Sequence, residues 1–487
     1  MESIIGKAEE YNITLNEKGN IILLRNKKIV FWFLIAIISI SLICGWIQHS
    51  SQQTDLFRSS VNSFLIISGI ILFLTLIYAP VIFLIRLWWN KKVLKYDISN
   101  NQKIRSVNKF IRNGNAMIGA VTILYAILLA LFSHLISPDI TPYANDQINE
   151  LAFQSPGLSI KVLKQPLELS PPKTNFINWV LFGKKVDYRS IPLTNYYFVG
   201  DSLYIDRFIG EGSKGQKLGF LMKEITGEDL PLAEQQKIIE SKHISTRKFL
   251  LGTDDLGRDY LSRILLGIRV SLSVGVVAVI IALFIGIPLG AFAGFYKRNP
   301  PYIRMKGKRS KFFIPVDNII MWFINIIWAI PTLLLVFPIV FAFGQNFYTI
   351  FIAVGLTMWV DIARIVRGQV MQVREQEFVQ AAKTFGFSDM RTIFIHILPN
   401  IVGPIIVITA ANFAYAILTE AGLSFLGIGV QAPAPSWGLM IAKYKDNLIT
   451  DPYLALIPGF AITILVLAFF MVGNGLRDAL DIKSKLD

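Results

Sequence analysis

Uncharged apolar stretches long enough to cross a bilayer recur along this chain, and they limit what it can fold into. A spanning helix needs ~20 predominantly apolar residues, because each residue rises ~1.5 Å across a ~30 Å hydrocarbon core. Such stretches occupy residues 29–54, 59–85, 113–138, 270–296, 400–419 and 452–476. A further one, 318–360, is long enough for two spans and is divided by the turn-forming run Ala-Phe-Gly-Gln-Asn at 342–346. Eight helices are expected. Backbone polar groups in lipid must find partners within their own segment, so these spans are read as helices rather than open strands. With 53% hydrophobic and 17% charged residues, the 487-residue chain departs in both respects from soluble domains, which run at about 45–50% and 25%. Its mean hydropathy is +0.52. Aromatics make up 12% of the chain, which excludes disorder, and the lone Cys44 excludes a disulfide scaffold.

The net charge of +15 has two explanations, nucleic acid or basic cytoplasmic loops, and its location decides between them. The loop at 91–112 carries seven basic residues against Asp97, and the loop at 297–317 carries seven against Asp317. Together they hold twelve of the fifteen net charges. A polar leader of 28 residues containing four glutamates precedes the first apolar run, so no cleavable signal is expected. The leader ends in Arg25, Lys27 and Lys28, which should stay in the cytoplasm. Alternation from there places both basic loops inside. It places the long segment 139–250, nearly neutral with 14 basic and 13 acidic residues, outside. Nucleic acid is not needed to explain the charge. The outer segment contains Pro142, Pro156, Pro166, Pro171 and Pro172 and short apolar alternations at 196–199 and 203–205, and reads as a small, partly β module.

Catalytic and energy-coupling motifs are weak or absent. Residues 210–215 match GxGxxG, but polar Gln216 and Lys217 follow where a dinucleotide fold needs a helix, so a turn is the better reading. No GxxxxGK[ST] occurs, so any ATP used must be bound by another subunit. The four histidines are never paired at metal-ligand spacing, and there is no HExxH. Gly422-Leu423-Ser424-Phe425 has the look of an intramembrane serine turn, with His134 the only candidate base. Two acidic residues lie in or near spans. Asp361 is followed by Arg364 and Arg367, which fits a helix end surfacing with a local ion pair; a functional intramembrane acid is the other reading. Glu420 either lines a polar path or caps a break at Ala421-Gly422. Between the sixth and seventh helices, 377–386 reads as a short amphipathic helix ending in Gly. Ser388 then caps a second short helix that closes at Leu398-Pro399. Ala381 and Ala382 would allow close approach of another protein, and Gly386 would supply the positive φ of a tight corner.

Gln380-Ala381-Ala382, Gly386 and Ile397-Leu398-Pro399 together resemble the EAA loop of binding-protein-dependent ABC importer permeases, closest to the dipeptide/oligopeptide/nickel branch (DppC/OppC type). Three segments add to the resemblance: Gly252, Thr253, Asp254, Asp255, Gly257, Arg258 and Asp259 in an external stretch; 418–427 around Glu420; and 435–438, Pro-Ser-Trp-Gly. It covers roughly 107–482. Gln380 stands where the family has Glu, and His396 where Ile is usual.

The resemblance implies an all-α polytopic protein with the six-helix, MetI-like core of type I ABC importers. Two additional N-terminal helices would lie in 1–106, the first core helix in 107–137 and an extracytoplasmic insert in 138–250. The remaining core would fill 251–482 with its coupling loop at about 377–399, followed by a cytoplasmic tail at 483–487. It implies no catalysis in this chain and no cofactor of its own. ATP and Mg would be bound by two cytoplasmic ATPase subunits docked on the loop. A second, homologous permease and an extracytoplasmic binding protein would complete the importer in a bacterial inner membrane, with both termini of this chain cytoplasmic. The competing class is an ion-coupled secondary transporter, which would need charge relays and broken helices in two related halves. A membrane enzyme ranks third.

Overall fold

A computed structural model describes residues 81–82, 84–86, 88–89, 102–167, 174–210, 215–227, 230–297, 302–304, 311–344 and 346–480. The chain divides into two units, 1–80 and 81–487, and the described residues all belong to the second. The expected span 29–54, nearly all of the span 59–85, and the tail 483–487 lie outside them.

Helix α1 (Gln102–Arg112) leads into α2 (Gly114–Ile136) across Asn113, whose side chain accepts from the Ala116 amide at 3.2 Å and so caps the apolar helix. The segment between α2 and the next long helix folds into an antiparallel sheet. Its strands are β1 (Leu158–Pro166), β2 (Tyr188–Val199), β3 (Ser202–Arg207), β4 (Lys217–Leu221) and β5 (Ile244–Phe249), in the order β4-β3-β2-β1-β5. Alternation directs Leu193, Leu203 and Ile205 to one face, where Met222 and Ile225 of α4 (Met222–Thr226) and Ile239 cover them. Ile148, Leu151, Val162 and Phe249 form a second small core. The short helices α3 (Phe176–Phe182) and α5 (Leu232–Ile238) complete the module. After the GxGxxG segment the chain enters strand β4, which pairs with β3, rather than a helix.

The remaining elements form the apolar body: α6 (Tyr260–Tyr296), α7 (Val316–Ala329), α8 (Thr332–Phe343), α9 (Phe347–Arg374), α10 (Glu377–Thr384), α11 (Asp389–Arg391), α12 (Val402–Phe425), α13 (Trp437–Tyr444) and α14 (Tyr453–Leu480). The basic segment between α6 and α7 holds a small hairpin, β6 (Tyr302–Arg304) with β7 (Lys311–Phe313). Among the described residues five helices are long and apolar enough to cross a membrane, and α7 with α8 makes a sixth if the bent pair is one span.

Helices α6 and α9 form the tightest pair because small residues let their backbones meet. A Cβ at Gly286 would lie 2.7 Å from the Trp359 carbonyl, and one at Gly294 would lie 2.6 Å from that of Arg367. Val274, Ala278, Val354, Ala363 and Val366 fill the seam.

The division expected at 342–346 is present, with α8 ending at Phe343 and α9 starting at Phe347. The uninterrupted helix expected before it is corrected. Pro331 lacks an amide hydrogen and pushes Ile330 into the extended region (φ −97°, ψ 126°), so α7 stops at Ala329 and α8 leaves at 94°.

Candidate translocation path and coupling elbow

The elbow after α9 is built from local hydrogen bonds. Helix α10 ends in a Schellman motif: the Phe387 amide donates to Ala382 O (3.1 Å) and the Gly386 amide to Lys383 O (3.0 Å). Gly386 takes φ +77°, a conformation glycine adopts without a Cβ penalty. Ser388 then caps α11, accepting from the Arg391 amide at 3.4 Å. The helix continues through a π turn (Thr392–Ile397) and a 3-10 turn (Leu398–Ile401) that contains Pro399. Phe387 stacks on His396 at 5.4 Å between ring centroids, with the Arg391 guanidinium 4.3 Å over its face.

The elbow's two faces differ in chemistry. Val379, Ala382, Ile393 and Ile397 are buried in the chain's own core. Gln380, Ala381, Gly386 and Pro399 are exposed, and Leu398 is half-buried. Ala382 and Ile397 are therefore corrected as contact residues. On a helix, neighbouring alanines point about 100° apart, so Ala381 and Ala382 do not share a face. The residues that do stand outward were not singled out from the sequence: Phe385 is 79% exposed, and Phe378, Met390 and Ile395 are also open. Lys383 lies 4.4 Å over the Phe295 ring; burial and the Arg374 charge lower its pKa from the ordinary lysine value. The Gln380 amide donates to Glu375 O at 3.2 Å.

The external segment finds nearly all of its partners within the chain, Asp259 Oδ1 being buried without one. Asp254, fully buried, accepts from Arg258 Nε (2.7 Å) and from the amides of Leu256 (3.0 Å) and Arg258 (2.9 Å). Arg258 also donates to Asn145 Oδ1 (3.1 Å). Thr253 receives the Gln154 amide (2.8 Å) and donates to Leu151 O. Gly252 (φ +72°) and Gly257 (φ +68°) each lie against the 148–156 backbone, where a Cβ would collide. Asp259 caps α6, accepting from the Ser262 amide at 2.9 Å. Asp255 accepts from Tyr444 Oη (2.7 Å) and pairs with Lys443 Nζ (2.7 Å). Burial raises the carboxyls of Asp139 and Asp259 above the usual range. Burial also acts on Asp255, but its bonds to Lys443 and Tyr444 outweigh it and hold that carboxyl low. The segment is a latch between the sheet module, the head of α6 and α13.

Glu420 is fully buried within α12, which runs on unbroken to Phe425. The break expected at Ala421-Gly422 is absent. Its Oε1 accepts from Ser424 Oγ at 2.7 Å and Ser436 also acts on the carboxyl, so the residue lines no open path in this conformation. Ser424 is thereby engaged with Glu420, while His134 Nδ1 accepts from Arg269 at 2.7 Å; no serine–histidine pair forms.

Asp361 is not at a helix end, because α9 continues thirteen residues beyond it to Arg374. The expected local ion pair does not close to a salt bridge, and Arg364 attracts the Asp361 carboxylate only from beyond 4 Å. Arg364 lies 4.2 Å over the Trp328 ring, and Arg367 makes a two-pronged pair with Asp317 (2.6 and 2.8 Å). Asp361 instead faces a cavity of about 440 Å³ at the α7–α8 bend, lined also by Trp328, Pro331, Thr357 and Tyr415. Among the described residues no group of three histidine, cysteine or acidic side chains could hold a metal.

Residues 286–485, which contain the elbow, Asp361 and Glu420, match the family described as binding-protein-dependent transport system inner membrane component. The dipeptide transport system permease protein DppC of Alkalihalophilus pseudofirmus is 42% identical over 234 residues, 48% of this chain and 72% of that one. The chain belongs to this permease family. The oligopeptide permease OppC of Bacillus subtilis is 41% identical over 232 residues, 48% of this chain and 71% of that one. The glutathione permease GsiD of Pectobacterium atrosepticum is 37% identical over 235 residues, 48% of this chain and 73% of that one. Among solved structures, the inward-facing MetNI methionine ABC transporter aligns at 16% identity and a TM-score of 0.36, over 46% of this chain and 96% of that one. The sheet module (β1–β5) and the latch precede the residues matched to the family.

Proposed function

We propose that this permease forms one half of the membrane channel of an ATP-driven peptide importer. A second, related permease supplies the other half, and an extracytoplasmic protein delivers the peptide. Two ATPase subunits bind ATP and Mg and dock on the elbow, so the basic hairpin and both termini face the cytoplasm and the sheet module faces outward. The six-span core is of the type I importer kind, preceded by two additional helices.

The observation that carries this reading is the elbow itself: a rigid helix–Gly–helix corner, continuous with α9 on one side and α12 on the other, exposing a cluster of large apolar side chains. Such a surface suits a groove on a partner protein, and a push on it is transmitted along two long helices. Charge supports the orientation, since the basic segment between α6 and α7 is on the same side of the apolar body as the elbow, where Arg374 donates to Phe295 O at 2.5 Å.

The test is uptake of labelled dipeptide by proteoliposomes holding the full complex. ATP inside the ATPase-facing compartment should drive it, and a proton gradient alone should not. Phe385→Asp should leave the two permeases associated yet lose the ATPases on gentle solubilisation. Retention of ATPases and normal uptake by that variant would remove the elbow from the mechanism.

A further inference from the structure

We infer that the cavity at the α7–α8 bend is a recognition site for a primary ammonium group of the cargo, with Asp361 as its counter-charge; this rests on the peptide-importer reading above. Four observations meet there. An acidic side chain sits in the middle of a spanning helix, six residues or roughly 9 Å from the Arg367–Asp317 pair. Among the described residues no salt bridge within 4 Å reaches it: Arg364 is held over Trp328 and attracts the carboxylate only from a longer distance. An acidic group at this depth without a close counter-charge is costly and marks a path or a ligand.

The cavity wall is also irregular backbone. Where α7 stops at Ala329 its last carbonyls lose their helical partners, apart from Ile327 O, which takes the Ile330 amide at 3.2 Å. Non-helical backbone at membrane depth is tolerated where it lines a cavity, and a helix C-terminus carries a partial negative charge. Carboxylate and helix end therefore favour the same ligand sign. A volume of about 440 Å³ falls within the 300–1,000 Å³ typical of small-molecule sites. Thr357 and Tyr415 supply hydroxyls, and the remaining lining is largely apolar, which suits an ammonium joined to a side chain of variable character.

Two arms test this. In the first, proteoliposomes with the complete importer take up labelled dialanine, N-acetyl-dialanine or N-acetyl-alanyl-lysine. Asp361→Asn should cut ATP-driven dialanine uptake at least tenfold, Asp361→Glu should retain most of it, and N-acetyl-dialanine uptake should be insensitive to the substitution. Dependence on Asp361 that persists for N-acetyl-alanyl-lysine would identify a side-chain ammonium as sufficient. Uptake of dialanine by Asp361→Asn within twofold of wild type would overturn the site, as would loss of the sister permease from that variant, which would make Asp361 an interface residue. The second arm needs no cargo. With Cys44 replaced by Ala and Thr332, on the cavity wall, replaced by Cys, the complex is treated with aminoethyl or sulfonatoethyl methanethiosulfonate. The cationic reagent should react faster by tenfold or more, and Asp361→Asn should abolish that preference. Equal rates with Asp361 intact would overturn the site. If the wild-type complex transports no peptide at all, the peptide-importer reading fails, while this second arm still decides the cavity.

Discussion

The latch at 252–259 and the elbow at 377–401 solve opposite problems with the same short-range devices. Each uses positive-φ glycine, two in the latch and one in the elbow, and a side-chain helix cap. In the latch, charged groups are buried and, Asp259 Oδ1 excepted, their partners are supplied by the chain itself, from as far away as Tyr444. In the elbow, large apolar groups are exposed and none of the described residues covers them. A buried, largely paired ionic network holds pieces together, whereas an exposed apolar corner is open to a second protein. The contrast separates residues of the family pattern that serve the fold from those left free for the proposed docking.

The largest expected effect lies in the latch. Asp254→Asn removes the charge that Arg258 and Arg263 share in a site closed to water. Breaking a buried pair from one side costs roughly 3–5 kcal/mol. The purified variant should lose its cooperative thermal transition or melt far below wild type, and its sheet module should become sensitive to protease. A melting point unchanged within a degree would show that the network is not what joins the module to α6.

The next comparison is within the elbow. Ala382→Glu forces a carboxylate into the core beside Val379 and Ile393, and uncompensated burial of that kind destabilises by several kcal/mol. Ala381→Glu, one residue earlier, places the same group in solvent and should leave the melt unchanged while releasing the ATPases. Two adjacent substitutions would thus give opposite phenotypes, read by thermal melting and by co-purification. Identical behaviour would mean the faces have been assigned wrongly.

How much of this could be read from residues alone depends on how local the cause is. The corner at Gly386 and the cap at Ser388 were legible because a glycine after an amphipathic turn and a serine before a new one act within a few residues. So was the division between α8 and α9. The bend at Pro331 carried its own signal, but it was hidden within a uniformly apolar stretch in which length dominated the reading. The inward side of Ala382 needed the 3.6-residue period anchored on Val379, and Asp361's solitude needed the Trp328 ring that engages Arg364. The latch was the least legible. Its residues were visible as a pattern, yet their partners, Asn145, Gln154, Lys443 and Tyr444, are about a hundred to nearly two hundred positions away.

Acidity sharpens the latch further. Asp255 is held below the usual carboxylate range, so it contributes stability above its unfolded value near 3.9, and that contribution is lost as pH falls through its lower folded value. Asp139 and Asp259 are raised by burial, so their ionised forms weaken the fold at neutral pH and protonation relieves this as pH falls toward their unfolded values. The thermal midpoint should therefore rise modestly on mild acidification and fall again below about pH 4. Asp255→Asn should cost about 1.5 kcal/mol at pH 7, from hydrogen bonds to a charged group, and progressively less as acidification protonates the folded carboxyl. A deficit that does not shrink at any pH down to acid unfolding would mean that Asp255 acts through shape rather than charge.

The smallest effect is expected at Gln380, where this chain departs from the family's glutamate. The side chain is exposed, and its amide makes one hydrogen bond, to Glu375 O at 3.2 Å. Gln380→Glu loses that donor and brings a third acid near Glu375 and Glu377. In solvent, each term is worth only a few tenths of a kcal/mol, and a new acid within the first turns of α10 interacts favourably with the helix N-terminus. Melting and uptake should both stay within error of wild type. The ATPases should also co-purify fully, since the proposed contact rests on Phe385 and its apolar neighbours rather than on a charge at position 380. A strong gain in ATPase retention would shift the weight of that contact from apolar burial to a salt bridge, and a strong loss would place Gln380 at the centre of the interface, where its neutral amide meets a partner group that rejects a carboxylate.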